Sequence, residues 1–222
     1  MGSSVVFWDK YHDHLDYSVN DFFISCVSKK PSWFSSLKRQ HINVNQNMNV
    51  KTCPSFIEIF KKSLLYITPT DLVFSIKNGM VTVHTPDNLN DWFASTSHTD
   101  KSSYNQMGDQ WNKNLYNIKL NPSIKFSSKE DIEFLFMDPT YYNYNKGIMV
   151  APGTMKVNPR VVLQPNLNMF IDVSEDRDVL FKSGEVLSMI YFPKGVPVFK
   201  RKKIKDNPKR RFIGDYMSRF RM

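Results

Sequence analysis

The sequence predicts a mainly β protein: a β-sandwich or jelly-roll-like barrel with one short helix and a basic C-terminal arm. Three observations carry that expectation. Apolar and polar residues alternate with period 2 along much of the chain, the pattern of half-buried strands. Asn78-Gly79 lies between two such runs, a strong short-range hairpin signal. No strand–helix–strand rhythm recurs, which argues against a doubly wound parallel sheet.

In chain order, Ile42–Val50 reads as a strand, with Ile42, Val44, Met48 and Val50 on one face and four asparagines on the other. The one helix is expected to begin at Pro54, which suits a first helical position, with Phe56, Ile59, Phe60 and Ser63 forming its buried face. Asp71–Lys77 and Met80–Thr85 form the hairpin, because a type I′ turn needs positive φ at both central residues and Asn-Gly tolerates it. Residues 86–114 lose periodicity and read as a long loop carrying Trp92 and Trp111. Strands follow at Leu115–Leu120 and Ile124–Ser127, split by Asn121-Pro122. Asp131–Met137 comes next, with Ile132, Phe134 and Phe136 on one face. Further strands are expected at Ile148–Ala151, Val161–Gln164, Leu167–Val173 and Val186–Phe192. Short strands with turn signals at this density suit a sandwich or barrel.

The chain has 222 residues and a net charge of +9. Ten Lys or Arg and two acids fall between Lys200 and Met222, so this arm carries a net +8 and the rest is close to neutral. The expected organisation is one β-rich domain over residues 1–199, with residues 1–40 readable as an N-terminal extension, and a basic arm over 200–222 that adds little to the fold. Hydrophobic residues make up 41% and aromatics 14% of the chain, enough for a real core. No apolar run is long enough for a membrane-spanning helix, and the N-terminus lacks the pattern of a signal peptide. Cys26 and Cys53 could form one bridge; reduced thiols are expected without a secretory signal.

The arm supplies the candidate binding residues. Lys200, Arg201, Lys202, Lys203, Lys205, Lys209, Arg210 and Arg211 suit a polyanion or an acidic protein surface. Phe212, Tyr216 and Phe220, spaced four apart, suit an interface. The plain alternative is a solvated tail. No catalytic residue and no cofactor is expected, since P-loop, dinucleotide-binding, nucleophile-elbow and paired CxxC patterns are missing. The nearest approach to a metal site is His12 and His14, within a cluster that includes Asp9, Asp13 and Asp16. On a strand the two imidazoles would point the same way, but a polar surface segment before Phe22 is the simpler reading. Cys53 precedes the helix, where a thiolate could be favoured; a small buried residue at a helix entry is the simpler reading. Tyr141, Tyr142 and Tyr144 could stack bases or line an interface, with core packing and loop anchoring as the simpler roles.

Two stretches resemble a family of proteins encoded by large tailed bacteriophages, including phages of marine cyanobacteria. One is KTCPSFIEIFKKSLLYITPTDLVFSI, Lys51–Ile76. The other runs from Phe134 to Phe192 through FLFMDPTYY, APGTMKVNPR, PNLNMFIDV and KSGEVLSMIYF. The resemblance implies a phage origin and a β-rich fold, and it supplies no catalytic residues. KSGEVLSMIYF also looks like the closing strand of the trimeric dUTPase-like fold, but that family's Ser-rich phosphate loop and water-activating Asp have no counterpart here.

Together these readings point to a phage-encoded, non-enzymatic β-rich protein acting through protein–protein contacts. It would be a virion structural component or an infection-stage accessory factor, located in the virion or the host cytoplasm. Its partners would be other phage proteins, an acidic host protein or further copies of itself. A nucleic-acid-binding accessory protein using the arm is the alternative, and a nucleotide-processing or metal-dependent enzyme the third reading.

Overall fold

The computed structural model of the protein describes residues 4–10, 16–37, 50–85, 93–97, 114–142 and 146–204. The fold is mainly β and sandwich-like, as the alternation predicts. Among the described residues, fifteen strands, numbered in chain order, form four sheets.

The largest sheet holds β2 (Phe23–Ser25), β3 (Ser63–Ile67), β9 (Ile132–Met137), β11 (Gly153–Val157) and β14 (Val186–Tyr191), in the order β11-β9-β14-β3-β2. All its pairings are antiparallel. Its two middle neighbours, β14 and β3, are covered on both faces. Leu64, Tyr66, Leu187 and Ile190 belong to the main core, whereas Leu65, Ile67, Val186 and Met189 meet a second cluster. Burial on both sides explains why SLLYI and VLSMIY are nearly continuous apolar runs. The register of β14 against β3 shifts between Val186 and Ser188. That irregularity breaks the period-2 alternation, so Leu187 and Ile190, three residues apart, both face the main core, while Val186 and Met189 both face the second cluster.

The second cluster is built on α2 (Pro54–Lys61), the helix expected at Pro54. Phe56 and Phe60, four residues apart, both turn inward. Ser63 does not continue the helical face. It opens β3, and its hydroxyl donates to the Ile59 carbonyl at 2.7 Å, closing the helix end. A second helix, α1 (Ser32–Ser36), adds Phe34 to this layer.

A three-stranded sheet contains β4 (Leu72–Lys77), β5 (Met80–His84) and β13 (Arg177–Phe181), in the order β13-β4-β5. The β4–β5 hairpin turns at Asn78 and Gly79, whose φ values of 52° and 73° are those of the expected type I′ turn. The Asn78 N–H donates to Asp176 Oδ1 at 2.9 Å, which ties the turn to the residue just before β13.

A four-stranded sheet contains β6 (Phe93–Ser97), β7 (Leu115–Pro122), β10 (Ile148–Val150) and β12 (Leu167–Asp172), in the order β10-β12-β7-β6. Strand β6 lies inside the stretch read as a long loop. Its sequence, FASTS, has one large apolar residue and so shows no period-2 signal. Strand β7 runs to Pro122, and only Ser123 separates it from β8 (Ile124–Ser128). Asn121-Pro122 therefore marks a corner where the chain passes from one sheet to the next.

Strand β8 belongs to the fourth sheet, with β1 (Val5–Lys10) and β15 (Val198–Arg201), in the order β15-β1-β8. Residues 5–10, within the stretch readable as an extension, are thus its middle strand, and Val6 and Trp8 enter the main core. Val161–Gln164 is not a ladder strand. Leu163 alone bridges to Phe126, with paired backbone bonds of 2.7 and 2.8 Å. Pro159 and Pro165 flank the segment and limit its ladder, since proline has no N–H to donate. The expected strand over 42–49, and Trp92 and Trp111, lie outside the described residues.

Candidate functional site

The first residues of the basic arm are built into the fold. Strand β15 pairs in parallel with β1, matching Val198 to Val5 and Arg201 to Trp8. The Val198 N–H donates to Ser4 O at 2.8 Å, and the Lys202 N–H to Trp8 O at 2.9 Å. One face of β15 reaches inward. Phe199 packs near-parallel to Phe23, with centroids 6.5 Å apart, and meets Phe126 at 5.5 Å.

Beyond the strand, Asp9 holds the chain. Its buried carboxylate accepts the Ile204 N–H at 2.7 Å through Oδ2 and the Lys10 N–H at 3.0 Å through Oδ1. Ile204 is itself buried. A negative acceptor suits this place because a buried backbone N–H needs a partner, and a carboxylate is the strongest acceptor a side chain offers. The boundary set by charge at residue 200 therefore falls inside a structured strand. Ile204 is the last of the arm residues that the structure describes.

Lys200, Arg201, Lys202 and Lys203 are all exposed. Two of them lie over aromatic rings of β1: the Arg201 guanidinium carbon is 5.6 Å from the Trp8 centroid, and Lys202 Nζ is 5.0 Å from that of Phe7. Such contacts fix the cations without neutralising them. The body thus presents four consecutive cations along one strand edge and its exit. Lys205, Lys209, Arg210, Arg211, Phe212, Tyr216 and Phe220 lie outside the described residues.

His12 and His14 also lie outside them. Of their neighbours, Asp9 is engaged with Ile204, and Asp16 lies 3.7 Å from Lys10 Nζ. Among the described residues no group of three His, Cys, Asp or Glu side chains could hold a metal ion.

The tyrosine loop serves an aromatic layer over α2. The Tyr141 ring meets Phe56 edge-on at 4.9 Å, and the Trp33 indole donates to the Tyr141 carbonyl at 2.9 Å. The Tyr142 hydroxyl donates to Lys29 O at 2.7 Å. Tyr141 and Tyr142 thus anchor their loop, and Tyr144 is outside the described residues. Burial pushes the Cys26 thiol up to about 12, against a smaller lowering by its side-chain hydrogen bond with Tyr142. The Tyr142 hydroxyl is raised by burial and then by Cys26. Both Cys26 and Cys53 are free thiols, and Cys53 is the N-cap residue of α2, packed against the Phe56–Phe60 cluster. A buried, protonated thiol such as Cys26 is chemically quiet.

Sequence reasoning found the cations but missed what holds them. Of the three apolar residues in VFKRKKI, Phe199 and Ile204 turn inward while Val198 stays exposed, so an apolar residue among charges marks the inward positions only in part. Asp9 carried no such signal, because its partner is a backbone N–H distant in sequence.

No helix of the described residues is long and apolar enough to cross a membrane. Compared with known proteins, the chain matches no family model, no curated sequence and no solved structure.

Proposed function

We propose that this is a phage-encoded, non-enzymatic protein that acts through protein–protein contacts, using its basic arm to engage an acidic surface. The partner is another phage protein or an acidic host protein, and the setting is the virion or the cytoplasm of the infected host. The phage assignment rests on the sequence resemblance of Lys51–Ile76 and Phe134–Phe192. The observation that carries the contact reading is the exposed run Lys200–Lys203 at the root of an arm with net charge +8, held on the body by β1 and Asp9. An arm fixed at its base keeps its cations close to one surface of the body, which raises their effective concentration toward a docked partner.

Binding of the full chain and of a chain ending at Ile204 to polyglutamate and to duplex DNA, measured over a series of salt concentrations, tests this reading. The expected result is polyglutamate binding that weakens with salt and depends on the arm. Equal binding by both chains would refute a role for residues 205–222, because the shorter chain keeps Lys200–Lys203. Tight DNA binding at physiological salt with none to polyglutamate would assign the arm to nucleic acid instead.

A further inference from the structure

We propose that the edge of β15 away from β1, which pairs with no strand among the described residues, is a strand-docking site for an extended acidic segment of the partner, which joins the β15-β1-β8 sheet as a fourth strand. This rests on the acidic-partner reading above and specifies how contact is made. Among the described residues β15 is the end strand of its sheet, with β1 as its neighbour. The backbone of a strand alternates its bonding side residue by residue. Val198 and Lys202 donate to β1, so Lys200 shares their side, while the N–H and C=O groups of Phe199 and Arg201 point to the open edge.

Four features make that edge a template. Its strand is regular and fixed in place by Phe199 in the core and by Asp9 beyond its end. Val198 is 43% exposed, leaving apolar surface on the outer face for a partner side chain. Lys200, Arg201 and Lys202 are exposed along it. Cations on an edge normally prevent pairing with other strands, since a neutral or basic newcomer would bury or oppose them. A strand bearing Asp or Glu turns the same cations into cross-strand partners. The chemistry therefore selects an acidic occupant, with backbone bonds for affinity and charge for specificity.

The probe is a blocked peptide of alternating Glu and Val, compared with two isomeric analogues N-methylated at every second amide, one for each phase. All three carry the same charge, but the analogue methylated on the bonding side cannot donate to the edge. Full-length protein should bind the parent peptide at least about tenfold more tightly than one of the two isomers. Arg201→Pro removes an outward N–H and spares the β1 side, and Arg201→Gln removes the same charge but keeps the N–H. The Pro variant should bind about tenfold more weakly than the Gln variant, with matching melting curves. Equal binding of the parent and both isomers overturns strand docking, as does binding to polyglutamate with none to the Glu-Val peptide. Those two outcomes leave the acidic-partner reading standing. Failure to bind polyglutamate as well refutes that reading itself.

Discussion

Replacing Asp9 by Ala should loosen the root of the arm and lower the stability of the whole body. The side chain accepts the N–H groups of Ile204 and Lys10, and both Asp9 and Ile204 are buried. A hydrogen bond to a charged group contributes about 1.5–3 kcal/mol, and a buried donor left unpaired costs about as much. Detachment of residues 202–204 limits the loss, because the chain can hydrate the freed N–H by exposing the Ile204 side chain at about 1.5–3 kcal/mol. The expected cost is therefore about 2–3 kcal/mol, which for a domain of this size lowers the midpoint by about 4–12 °C. Asp9→Asn keeps one acceptor and should be milder. Thermal melting by circular dichroism reads the global effect, and hydrogen exchange reads the Ile204 amide. If Asp9→Ala melts with the parent and the Ile204 amide stays protected, the carboxylate does not hold the arm.

Ending the chain at Ile204 should leave the melting midpoint nearly unchanged, whereas ending it at Pro197 removes β15 and Phe199 and should lower the midpoint by several degrees, measured in the same scan. Gly79→Val should cost about 1 kcal/mol or more and Gly79→Asn much less. The φ of Gly79 is +73° and no atom lies within 4 Å of the position of an added Cβ, so the penalty would be backbone strain alone. Because the Cys26 thiol is raised from 9.0 to about 12 by burial, the unfolded chain loses this proton first as pH rises. Its stabilising contribution is complete below pH 9.0 and is lost progressively toward about 12, so denaturation midpoints should fall across that window, and less so in Cys26→Ala. In the native protein at neutral pH, a thiol reagent should label Cys53 before Cys26, checked by mass spectrometry of the labelled peptides.

The parts of the fold governed by local chemistry were legible in the sequence. Asn78-Gly79 set its turn, Pro54 set the helix start, and Ile132, Phe134 and Phe136 alternated as their burial requires. Elements whose signal is tertiary were not. SLLYI is buried on both faces and has no alternation to read, while β6 is too polar to announce itself. Strand β15 was hidden by its own charge, because VFKR looks like the start of a tail until β1 lies beside it. Lys200 to Lys203 could be named as candidates from composition. That they form a fixed edge depends on Asp9, Trp8 and Phe7, which the sequence places almost two hundred residues away.

The central claim is that contact with an acidic partner is made at β15 and the arm that continues from it. Hydrogen exchange of the full-length protein with and without polyglutamate tests it most directly, because it reports where binding occurs as well as whether it does. The account predicts added protection at residues 198–204 and in the arm, with the amides of Trp33, Phe34, Tyr141 and Tyr142 unchanged. Protection confined to that aromatic layer, or found at no residue of β15 and the arm, would contradict it.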